Sequence, residues 1–106
     1  MPVASYPYPV LNTPLSELRR RAPKPLTHAA LVAYFDRRGL PRKIGIFGAF
    51  ERGQIKNPPA RFVQLWAAAV GSDVEAVLEA LRRTQRMRER GTGPFGPAIR
   101  VPRRAA

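Results

Sequence analysis

Phe50-Glu51-Arg52-Gly53-Gln54-Ile55-Lys56-Asn57-Pro58 is the stretch that decides how this chain folds. An apolar residue, an acid and an Arg-Gly pair lead into a short polar turn and then Asn-Pro. Gly53 has no Cβ, so it can take the left-handed conformation that ends a helix. Asn57 is a capping type, and a proline after it suits a first helical turn, where no backbone donor is needed. The stretch predicts the end of one helix, a tight turn and the start of another.

On its carboxyl side, Phe62, Leu65, Trp66 and Ala69 repeat at helical spacing, which predicts a helix over about 59–70 with Trp66 at the centre of the core. Ser72-Asp73-Val74-Glu75 reads as a capping box, Ser and Glu being three apart, and opens a further helix with Val74, Val77, Leu78 and Leu81 on one face. Beyond Leu81 that helix turns basic through Arg82, Arg83, Arg86, Arg88 and Arg90, and Gly91-Thr92-Gly93-Pro94 breaks it. On the amino side, a segment over about 41–52 places Ile44, Phe47 and Phe50 on one face, with Gly45 and Gly48 opposite. Two glycines in one short helix suggest close approach by another backbone or a nucleic acid, or else a weak helix. Before it, Thr27 caps a helix to about Arg38 with the stripe Leu31, Tyr34, Phe35. Gly39 closes that helix. Thr13-Pro14 opens the first helix, which carries Leu15 and Leu18 and ends before Pro23 and Pro25. The fold class expected is all-α, with five helices over residues 13–90, an extended Tyr-Pro arm over 1–12 and a basic, Pro-rich tail over 91–106.

The balance of charge sets the expected partner. Nineteen Lys and Arg against seven Asp and Glu give +12 over 106 residues, and all but three of the cations are arginine. Arginine forks onto phosphate and onto guanine edges. A small protein this basic usually meets a polyanion, although an Arg-rich genome composition also raises the charge. There is no cysteine and a single histidine, so no disulfide framework, metal site or cofactor is expected. The carboxylates are scattered and no Gly-rich phosphate loop ends in Gly-Lys-Ser/Thr, so an enzyme is not expected either. No apolar run approaches the roughly 20 residues that span a bilayer, and the first residues lack the pattern of a secretory signal. No membrane partner and a cytoplasmic location are the expectations.

From about Leu15 to Leu81 the chain resembles the helix-turn-helix proteins of the lambda-repressor/Cro (XRE) type, most of all in Phe50-Glu51-Arg52-Gly53 and Asn57-Pro58. That resemblance implies a regulator, bacterial or phage, that reads duplex DNA with its third helix. It also implies that Glu51 bonds an arginine of the first helix, Arg19 or Arg21. Thr27 and His28 stand where the family's Thr-Gln opens the second helix and meets a phosphate, with His28 departing from Gln. As the one histidine, His28 reads otherwise as an ordinary surface residue. The family's base-reading positions fall on Lys43, Ile44, Gly45 and Ala49, of which only Lys43, with Arg42 beside it, has base-reading chemistry. The span from Thr27 to Gly53 is longer than the family's, with the surplus near Asp36-Arg37-Arg38-Gly39-Leu40. Arg37, Arg38, Lys56 and Arg61 complete the candidate DNA contacts. Arg82, Arg83 and Arg86, with Arg100, Arg103 and Arg104 of the tail, form a basic extension.

Two other readings stay open. Pro41-Arg42-Lys43-Ile44-Gly45-Ile46-Phe47 is similar to the Pro-x-Lys-Ile-Gly-Ile motif of the ProQ/FinO RNA chaperones, over about seven residues. A scaffold that docks on a larger protein, its two arms wrapping the partner, suits the Tyr-Pro repeats and Phe95-Gly96-Pro97. Proteins of the repressor type often bind as homodimers, but no apolar helix face here obliges one.

Overall fold

A computed structural model describes residues 12–24, 26–92 and 95. The Tyr-Pro arm apart from Asn12, and the tail arginines Arg100, Arg103 and Arg104, lie outside them. The described residues form five helices and no strand: α1 (Pro14–Arg20), α2 (His28–Arg37), α3 (Ile44–Glu51), α4 (Ala60–Val70) and α5 (Val74–Arg90). None is long and apolar enough to cross a membrane.

Local chemistry sets most of the boundaries. Thr13 caps α1 with Pro14 at its first position, and Ser16 returns the bond by accepting from the Thr13 N–H, so a serine completes the capping box. Thr27 caps α2 through the Ala30 N–H. Gly53 takes φ +73° after α3, and the Gln54 N–H closes back on the Ala49 carbonyl.

Three starts differ from the sequence expectation. Helix α3 begins at Ile44 rather than near Pro41, with Lys43 extended at the cap position and making no side-chain cap bond. Residues 41–43 offer nothing apolar to bury, and a helix this short forms only where packing supports it. Asn57 does not cap α4; Pro59 occupies that position. With a cap at 57, Pro58 would have to be helical, and the proline following it disfavours that. In α5 the cap is Asp73, which accepts from the Ala76 N–H at 2.7 Å, while Ser72 belongs to the end of α4, its N–H closing on the Ala67 carbonyl.

The core is an aromatic cluster. Phe62 of α4 lies 5.1, 5.7 and 5.0 Å, centroid to centroid, from Phe35, Phe47 and Phe50, and Phe50 meets Trp66 at 5.3 Å. Helices α2, α3 and α4 thus share one set of rings, edge-on or tilted pairs for the most part, as aromatic quadrupoles favour. Leu15 of α1 and Val77 and Leu81 of α5 close the far side, where α1 packs along α5. Trp66 is fully buried, as its spacing implies. Ile44 is not: it is 54% exposed. The buried face of α3 is centred on Phe47, Phe50 and Glu51, and Ile44 in the first turn falls at its edge. Val74 is likewise exposed at the start of α5.

Thr13 ties this arrangement together locally. Its hydroxyl accepts from Ser16 and donates to the Glu51 carbonyl at 2.7 Å, fully buried. Thr13→Val keeps the shape but removes the cap and strands a buried acceptor. It should lower stability by about 2–3 kcal/mol, read as a shifted midpoint with unchanged slope in urea denaturation.

Candidate nucleic-acid interface

The third helix carries the candidate site, and Glu51 fixes how that helix sits. Arg19 of α1 clasps its carboxylate with two donors, Nε to Oε2 at 2.7 Å and Nη2 to Oε1 at 3.0 Å. Its remaining Nη1 donates to the Leu26 carbonyl just ahead of α2. Arg21 is not a partner of Glu51. It is the cap residue just past the end of α1, turned to the exposed side, and pairs with Glu17. An acid at the carboxyl end of a helix is unfavourable against the helix dipole, so the planar, two-donor fit of Arg19 is what makes the position tolerable.

His28 corrects a second expectation. It is not an ordinary surface residue. Its ring stacks on Phe47, and its buried Nε2 lies 3.2 Å from Glu51 Oε2, an electrostatic contact without the alignment of a full hydrogen bond. The local reason is its place as the first residue of α2, which packs against α3. Burial works to raise the Glu51 pKa, but the His28 and Arg19 contacts outweigh it, and the carboxyl titrates below the ordinary value of 4.5.

With its inner face committed, α3 shows solvent a strip that carries no charge. Ile44 and Gly45 are exposed, and Gly48 and Ala49 half-exposed. No atom of the described structure would meet a Cβ on Gly45 within 4 Å. The two glycines therefore do not accommodate another backbone of this chain. Gly48 accommodates a side chain instead: a Cβ there would lie 3.0 Å from Arg52 Nη1.

Cations stand at both ends of the strip. Lys43 immediately precedes it, exposed, with Arg42 half-exposed beside it. Arg38 in the turn after α2 covers the Tyr34 ring at 3.6 Å, and Arg61 of α4 reaches the Arg38 carbonyl, so the start of α4 adjoins the turn into α3. At the other end, Arg52, Lys56 and Arg88 gather around the turn that follows α3. Gln85 of α5 holds that turn by donating to the Ile55 and Lys56 carbonyls, and Arg88 donates to the Arg52 carbonyl. A shallow groove of about 720 Å³ lies between this turn and α5, with Glu89 on its rim. Among the described residues, none of Arg37, Arg38, Arg42, Lys43, Arg52, Lys56 and Arg61 is paired with a carboxylate. Thr27 is exposed but its hydroxyl is engaged as a cap. Arg82, Arg83 and Arg86 are exposed along α5, Arg82 in contact with Glu79.

Sequence reasoning did not single out Arg52, and it placed Arg88 in the basic run of α5 without foreseeing its contact with the turn after α3. The signal for Arg52 was present: it follows Gly48 by four residues, and helical side chains lean back over the preceding turn. Arg88 carried no such signal, because its neighbour is set by how α5 packs. Comparison with protein-family models, curated proteins and solved structures finds no match to this chain.

The Glu51 contacts yield a paired test. Glu51→Ala leaves the largely buried Arg19 unpaired and should cost about 3 kcal/mol. Because the folded pKa is lowered, the stabilisation from the carboxylate is fully present above the ordinary value of 4.5 and is lost as pH falls through the lower folded value. Glu51→Gln should remove that part of the acid dependence. Urea denaturation of the three proteins, from neutral pH to below 4.5, measures both effects.

Proposed function

We propose that this chain binds duplex DNA, with α3 laid in the major groove, as a regulator of the lambda-repressor/Cro type. The observation that carries the proposal is the uncharged outer strip of α3 with unpaired cations at both of its ends. Eight helical residues extend roughly 12 Å, about the width of the major groove. Cations at the two ends of such a helix suit the two phosphate backbones that border the groove, while the low strip between them, built of residues without charge, can approach base edges. The caps support the same placement. Helices α1, α2 and α5 are capped by side chains, whereas α3 and α4 are not and have no acid in their first turns. Amides at an uncapped helix start favour a phosphate. The link from Glu51 to Arg19 and the order of the five helices agree with the family resemblance.

A protein-docking adaptor is the second reading, and the exposure of Ile44 favours it, since an apolar side chain beside glycines also suits a protein surface. Binding titrations on duplex DNA at several salt concentrations separate the two. On duplex DNA, log affinity should fall by about 0.9 per neutralised phosphate for each unit of log salt. Replacing both Arg42 and Lys43 with Ala should weaken binding at least about a hundredfold, at about 1.4 kcal/mol or more for each of the two lost charged contacts, without lowering the melting temperature. Affinity that ignores salt and survives the double replacement would reject the DNA reading in favour of the adaptor.

A further inference from the structure

We infer that Arg52 is the side chain through which α3 distinguishes bases, and that it selects guanine. The inference rests on the DNA reading above. Three features fix its guanidinium on the outer strip. Gly48, one turn earlier, leaves a notch in which Nη1 sits 3.0 Å from where a Cβ would be, with Cζ at 3.7 Å. Gln54 Oε1 accepts from Nη2 at 3.4 Å. The backbone is held on either side, by the buried Glu51 before it and by Gly53, whose N–H donates to the Phe50 carbonyl. The group is thus exposed and unpaired by any carboxylate among the described residues, and although Arg52 follows the last residue of α3, its guanidinium leans back one turn to lie beside Gly48 on the outer face.

Elsewhere the strip offers only Ile44, Gly45 and Ala49, which lack hydrogen-bonding side chains. A guanidinium presents a fork of donors, and the guanine edge in the major groove presents the two acceptors O6 and N7 that match it. A lysine would supply one point charge and a weaker choice between bases. An arginine free at the rim would take a phosphate and choose nothing. The glycine notch makes the difference, because it brings the fork to the surface that faces the bases.

The test uses the full chain and short duplexes of alternating G·C, of alternating A·T, and of G·C carrying 7-deazaguanine, which lacks the N7 acceptor. Binding is followed by fluorescence anisotropy at fixed salt. The wild-type chain should prefer G·C over A·T by about tenfold or more, and 7-deazaguanine should erase most of that preference. Arg52→Lys should show little preference and no response to 7-deazaguanine. Gly48→Ala should displace the guanidinium and lose the preference while melting no lower than wild type, since alanine favours a helix more than glycine does. A preference that survives both substitutions overturns the inference. So does an Arg52→Lys or Arg52→Ala chain that binds every duplex equally more weakly with a smaller salt slope, which would make Arg52 a phosphate contact. Duplex binding without any base preference overturns this inference alone, and failure to bind either duplex overturns the DNA reading with it.

Discussion

Everything about the orientation of α3 depends on one buried carboxylate. Glu51 receives two donors from Arg19, lies against His28 Nε2, and its own carbonyl accepts from Thr13. Three helices therefore meet at one residue: α1 through both of its ends, α2 through its first residue, and α3 through its last. A charge this deep is costly to desolvate, and a buried ion pair is weak evidence for stability as such. Its contribution here is geometric. Two forked donors and an acceptor backbone permit one rotation of α3 about its axis, and that rotation decides which side chains face the rings of Phe35 and Phe62 and which face water.

The cost of that choice appears on the outer face. Helix α3 is largely apolar, and a helix apolar on all sides is ordinarily buried all round. Here the five-helix packing covers only Phe47, Phe50 and Glu51 completely. Ile44 is left exposed, and Gly45 and Gly48 stand opposite the core where a good helix former would be expected from propensity alone. Departure from local preference is expected where function constrains a surface. Both the proposed groove contact and the seat of Arg52 need that surface to be low and uncharged.

Much of the molecule was legible in advance for a definable reason. The ends of α1 and α2 are set by residues whose effect reaches only three or four positions: Thr13, Thr27 and Gly39 act through their own backbone neighbours. The aromatic core follows from spacing, because Phe62 and Trp66 fall on one side of α4 whatever they meet. Where two local signals competed, the outcome was not legible. Asn57 and Ser72 are both good caps, but Pro58 is disfavoured from being helical before Pro59, and Asp73, the residue after Ser72, takes the cap of α5. The candidate site divides in the same way. The Glu51–Arg19 pair was anticipated through a family pattern, whereas the roles of His28, Arg52 and Arg88 were not.

By itself the sequence determined an all-helical chain, its number of helices, its strongly basic character and the apolar residues available for a core. Composition and short-range spacing suffice for these, since each depends on a residue's own chemistry and on neighbours within a turn or two. Tertiary structure alone decided that Arg19 and not Arg21 meets Glu51, that His28 turns inward, that Ile44 faces water and that Arg88 joins the turn after α3. Each of these is a contact between residues at least nineteen apart, or the absence of one. Rotating a helix by a fraction of a turn exchanges such partners without disturbing any local signal, so only the packing of all five helices could select among them.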